Sequence, residues 1–191
     1  MTEYLNVNGQ AIPIVKIGRG SSSFFANLVR SYIKNYPVVN VYSNSNKINL
    51  AVWVIYQLQQ EFAVKDIHVM WGVEGVSLAF NVYSDQEITE TRTFEQDETM
   101  SYVKIGNGGD IESLSRVINK TDACTLIAAG GSCQKLFQLL VYAYSKNFVS
   151  SEIEIIRTHD AQGNEKAGVS VYIYRVHMYQ DAENLYGVQG E

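Results

Sequence analysis

The sequence predicts an α/β chain, an α+β sandwich in which two tandem β-α-β-α-β-β units pack against each other within one polypeptide. Three observations carry that prediction. "VKIGRG" (15–20) returns as "VKIGNG" (103–108), 88 positions later. Each copy opens onto the same succession: a helical pattern, a short apolar run, a small polar loop and a long apolar helix. The later pieces align at offsets of 85 and then 86, the small drift that loop insertions leave in a duplicated unit.

The first helix of unit one follows from Phe24, Phe25, Leu28, Val29, Tyr32 and Ile33, which recur at helical spacing and share one face. Ser21 to Ser23 offer N-caps, and Pro37 stops the helix. "VVNVYS" (38–43) reads as a buried strand, "NSNK" as a loop and "INLAVWVIYQLQQEF" (48–62) as a second helix. Extended segments over 66–73 and 76–84 close the unit. In unit two Asp110 is placed to cap a shorter helix with the stripe Ile111, Leu114, Val117 and Ile118. "CTLIAA" (124–129) is the matching strand, "GGSCQK" the loop and "LFQLLVYAYSKNF" (136–148) the helix. Segments 152–158 and 168–178 follow, with "DAQGNEK" as an exposed hairpin tip. The resulting boundaries are 1–85 for unit one, 86–101 for a connector that either adds a strand or stays flexible, 102–178 for unit two and 179–191 for a tail.

The long helices are apolar almost all round: Ala51, Val52, Trp53, Val54, Ile55 and Leu58 in one, Leu136, Phe137, Leu139, Leu140, Val141 and Ala143 in the other. A helix on a single sheet needs one apolar stripe. The extra width predicts that each unit covers the other, the alternative being two ordinary core helices.

Charge is unevenly placed. The net −5 of the 191 residues resolves into +1 for each unit, −4 for the connector and −3 for the tail. The bodies therefore lack the general field of a strongly basic domain but can carry a local basic face. No apolar run reaches 18 residues, so no membrane helix is expected. The start lacks a basic and then apolar leader, so it does not read as a secretory signal. Two cysteines, Cys124 and Cys133, fit a reducing compartment, and both read as small buried hydrophobes.

A strand ending "KIG", a glycine-bearing loop, a helix, a strand, a polar loop, an apolar helix and a β-hairpin together resemble the Alba superfamily. That family comprises archaeal chromatin proteins and the paired small protein subunits of RNase P and RNase MRP. The likeness covers about 11–85 and again 102–178. It implies two Alba-like units forming an intramolecular pseudo-dimer, because relatives pair as dimers. It implies nucleic-acid contact through the first loop, the start of the first helix and the hairpin tips. On this sequence those positions are Lys16, Arg19, Ser21, Ser22 and Lys47 in unit one, with Lys135 and Lys166 as contributors in unit two. Unit two departs from the pattern: Asn107 stands where unit one has Arg19, and Asp110 would repel phosphate. Solvated loop charge is the alternative reading of Arg19 and Lys47.

Other chemistry has little footing. His68, His159 and His177 are scattered without metal-ligand spacing. "GRGSSS" and "AAGGSC" lack the phosphate-loop pattern, and "GGSCQ" is no nucleophile elbow. Neither an enzyme, a cofactor nor a metal site is expected. Tyr172 and Tyr174 in "VYIYRVHMY" are expected on one strand face, suited to base stacking, a protein interface or sheet packing. The function expected is a non-catalytic, nucleic-acid-binding accessory subunit of a nucleic-acid-processing complex. An RNase P/MRP-like particle and a protist DNA N6-adenine methyltransferase complex are the two homes the resemblance suggests. Its partners would be DNA or RNA at modest affinity and other subunits. The location expected is nuclear, with cytoplasm as the alternative. A pure docking subunit with little affinity for nucleic acid is the second reading.

Overall fold

Alternation of side chains decides which side of each sheet meets the helices. The structure, a computed structural model, describes residues 3–176 apart from Asn8, 73–74, Thr89, 95–100 and Ala161. The tail 179–191 and part of the connector, 95–100, therefore lie outside the described residues. The chain is mixed α/β, with ten strands in two sheets and four α-helices among the described residues.

The first sheet has the order β1-β2-β3-β5-β4, from β1 (Glu3–Val7), β2 (Gln10–Ile17), β3 (Val38–Ser43), β4 (Ala63–Gly72) and β5 (Gly75–Tyr83). β2 and β3 run parallel because α1 (Ser22–Ile33) carries the chain back between them. Val15 and Ile17 of β2, Val39 and Val41 of β3, and Leu78 and Phe80 of β5 point inward, and all are buried. The inner face of α1 meets them with Phe25, Ala26, Val29 and Ile33. Its start is set by Ser21, whose Oγ accepts from the Phe24 amide at 3.1 Å. Strand β1 goes beyond the sequence expectation. It pairs antiparallel with β2 across a turn at Gly9, which takes the φ of +81° that glycine tolerates.

The second sheet repeats the pairing plan. β6 (Tyr102–Ile105) and β7 (Ala123–Ala129) are parallel across α3 (Ile111–Asn119). β7 pairs antiparallel with β10 (Glu165–Arg175), which pairs with β8 (Phe148–Ser150) and β9 (Glu154–His159). In both sheets a parallel pair is thus followed by an antiparallel hairpin whose last strand is inserted beside the second strand. β4 and β10 begin at Ala63 and Glu165, each three residues earlier than their sequence pattern suggests. The helix after the second polar loop begins at Cys133 instead of 136.

Between the sheets lie α2 (Ile48–Leu58) and α4 (Cys133–Tyr144), in contact with each other. Ala51, Val52, Val54, Ile55 and Leu58 of α2 and Leu136, Phe137, Leu139, Leu140 and Ala143 of α4 are buried in one continuous core that spans both sheets. Each helix also touches the opposite sheet: α2 meets β9 and β10, and α4 meets β4 and β5. That second contact accounts for apolar width beyond one stripe. Burying a side chain of this size contributes about 1.5–3 kcal/mol. Polar bonds fix the register where the helices start. Asn49 Nδ2 donates to the Gly131 carbonyl at 3.1 Å, and the Gln134 amide donates to Asn49 Oδ1 at 3.0 Å. Gln134 Nε2 in turn donates to Ser45 Oγ at 3.3 Å. Further along, Tyr56 donates to Glu165 at 2.6 Å and accepts from Arg157 Nε at 3.0 Å.

The connector lies against the second sheet. Thr93 forms a parallel bridge with Arg157 on β9, and the Phe94 amide donates to the Arg157 carbonyl at 2.9 Å. The Phe94 ring sits edge-on to Tyr102 of β6, with centroids 6.1 Å apart. β6 and β9 are at opposite sides of that sheet, so the ring reaches over the face turned away from the helices.

Candidate nucleic-acid interface

Parallel strands end at the same edge, so β2 and β3 bring the loops 18–21 and 44–47 side by side. Arg19 is exposed in the first loop. Lys47 closes the short 3-10 turn Ser45–Lys47 in the second and is half-buried. Neither makes an ion pair with a carboxylate among the described residues. The start of α1 opens on the same edge, where the helix dipole favours an anion.

The other residues singled out in unit one are placed differently. Lys16 lies between Val15 and Ile17 and so points to the face away from the helices. Its ammonium is 2.8 Å from the Glu3 carboxylate. The Ser21 hydroxyl is engaged in capping. Ser22 Oγ accepts from Gln57 Nε2 on α2 at 2.9 Å. Both hydroxyls are thus part of the scaffold that holds the loop.

The two cations singled out beyond residue 102, Lys135 and Lys166, are both committed. Lys135, on the first turn of α4, donates to the carbonyls of Asn107 and of Gly109, the latter at 2.7 Å. It holds the 106–110 loop in place. Lys166 lies 3.5 Å from Asp160 across the β9–β10 hairpin. Asp110 caps α3, with Oδ1 accepting from the Ser113 amide at 2.7 Å. That bond keeps its carboxyl below the usual carboxylate range. The Asn164 amide and side chain do the same for Asp160. The 106–110 loop therefore carries an ionised acid, Asp110, where the 18–21 loop carries Arg19.

Tyr172 and Tyr174 stand on the outward face of β10, 43% and 44% exposed, their rings stacked with centroids 6.0 Å apart and planes 28° apart. Sequence reading missed Lys104, exposed on the same face of the sheet one strand beyond β7. Its signal is its position in β6, between the inward-packing Val103 and Ile105. Trp71, 66% exposed beside the β4–β5 hairpin tip, was also missed.

The remaining candidates are quiet. Burial pushes the Cys124 thiol up to about 11 and the Cys133 thiol up to about 12, so neither is a thiolate at neutral pH. His68 and His159 are exposed on separate sheets, and His177 lies outside the described residues. No three His, Cys, Asp or Glu side chains among the described residues converge as metal ligands would. Comparison with protein-family models, with curated proteins and with solved structures finds no match to this chain.

Proposed function

We propose that the chain is a tandem Alba-like pseudo-dimer and acts as a non-catalytic, nucleic-acid-binding accessory subunit of a nucleic-acid-processing assembly, of DNA-methyltransferase or RNase P/MRP-like type. One observation carries the reading: the same strand-pairing plan occurs twice, and its two long helices meet back to back. The bonds between those helices are reciprocal, Asn49 reaching the loop before α4 and Gln134 reaching the loop before α2. That is the i-to-j and j-to-i exchange of a two-fold interface. Arg19, Lys47 and the start of α1 then form the contact with phosphate. Few such contacts mean modest, salt-sensitive affinity.

Fluorescence-polarisation titration of DNA and RNA, single- and double-stranded, at two salt concentrations tests this. Arg19→Glu with Lys47→Glu should lower affinity for every sequence and flatten the salt slope by roughly two units. Lys135→Gln should leave that slope unchanged, because its ammonium already serves the loop carbonyls. Unaltered binding by the Arg19 and Lys47 variant would remove the loop from the interface.

A second reading is favoured by the ties already made: Lys16, Lys135 and Lys166 each have a partner within the chain. In it the body is a docking subunit of a larger particle. The sign of that case is a wild-type chain that binds no nucleic acid at low salt yet co-purifies with a stable set of proteins.

A further inference from the structure

The outward face of the second sheet carries two exposed tyrosine rings and an exposed lysine. Its central residues are covered: Thr125 is 7% exposed, Ile127 3% and Ser170 5%. At one side Phe94 lies against Tyr102. Tyr172 and Tyr174 escape that cover. Their cross-strand neighbours on β7 are Thr125 and Ala123, too small to shield a phenol ring. The rings stack on each other instead and leave their outer surfaces to solvent. Sheet packing alone does not explain two adjacent aromatic rings left this exposed, since covering them would contribute favourably.

The same face carries one exposed cation. Lys104 pairs with Ile127 in register, two residues along β7 from Thr125, the partner of Tyr172, and makes no ion pair among the described residues. The nearest outward acid on β9, Glu154, is 3.7 Å from Arg92 of the connector. A cation within a nucleotide or two of an exposed aromatic pair is the combination that holds single strands: the rings take the base faces and the cation takes the backbone. A duplex offers no such faces, because its bases are stacked on one another.

We propose that Tyr172 and Tyr174 form a stacking platform for unpaired bases of a single-stranded nucleic acid, with Lys104 meeting its phosphates. This rests on the nucleic-acid-binding reading above but uses a different face from Arg19 and Lys47, so the two can fail separately.

The test uses the full chain with fluorescent oligo-dT and oligo-rU single strands and a duplex of equal length. Tyr172→Leu with Tyr174→Leu should weaken single-strand binding by roughly tenfold or more and leave duplex affinity within about twofold. The paired Tyr→Phe changes should retain binding, because the ring and not the hydroxyl does the stacking. Lys104→Gln should reduce the salt slope for single strands by about one unit. Circular dichroism and thermal unfolding of each variant check that the sheet is intact. Unchanged single-strand affinity in the leucine variant, with loop variants still impaired, overturns the platform and leaves the parent reading standing. A wild-type chain that binds no probe at low salt overturns both. Loss of a protein partner by the leucine variant, with single-strand binding intact, overturns the platform in favour of a protein interface.

Discussion

At the scale of single residues, burial and close approach set the chemistry. The two thiols are held protonated by their surroundings, Cys124 in β7 and Cys133 at the head of α4. An aromatic disulfide reagent at pH 8 should react slowly with the folded chain. Two thiols should react promptly once guanidinium unfolds it; fast reaction of the native chain would contradict the burial. Gly168 is fixed by contact and not by turn geometry. A Cβ there would stand 2.9 Å from the Ala128 carbonyl oxygen and 3.1 Å from Thr158 Cγ2. Gly168 lies in β10 with neighbours on both sides, so the backbone cannot simply move away. Gly168→Ala should cost about 1–3 kcal/mol, read as a lower urea midpoint.

At the scale of elements, the two first helices of the halves are capped by different chemistry. Ser21 caps α1 with a neutral hydroxyl, whereas Asp110 caps α3 with a carboxylate. The difference gives acid a specific target. Asp110, capping α3, and Asp160, in the β9–β10 hairpin, ionise at lower pH in the folded chain than in the unfolded one. Around pH 4 the unfolded chain therefore binds more protons. The stability these groups contribute is present above the unfolded value of about 3.9 and is lost as pH falls through the depressed folded values. The urea midpoint should be insensitive to these two groups from pH 7 to 5 and drop below about pH 4. Asp110→Asn with Asp160→Asn should make that drop shallower, asparagine at position 110 still serving as a cap.

At the scale of the whole molecule, the core is shared. α2 and α4 each bury apolar surface against the other half, so neither half completes its own core. The full chain should run as a 21.5 kDa monomer in light scattering. A fragment of residues 1–86 should self-associate, because Val54 and its neighbours would lose their cover. A well-behaved monomeric fragment would show that the shared core is not needed.

Much of this was determined by the sequence alone, because it depends on local order. Periodicity placed all four helices, the Ser21 to Ser23 run and Asp110 announced caps, and the echo of "VKIG" fell on the strands that open the two parallel pairs. β1 was not read from the sequence, because its short exposed strand has no apolar alternation to advertise it. What only the tertiary structure decided is which charges are at liberty. Lys135, Lys166 and Lys16 look like Arg19 and Lys47 in the sequence, yet each has a partner 6 to 28 positions away that folding brings close. The same holds for Tyr172, Tyr174 and Lys104. Their common face depends on β7 lying between β6 and β10. Ion pairing and exposure are properties of neighbours in space, and one strand's pattern records only which side it turns to the core.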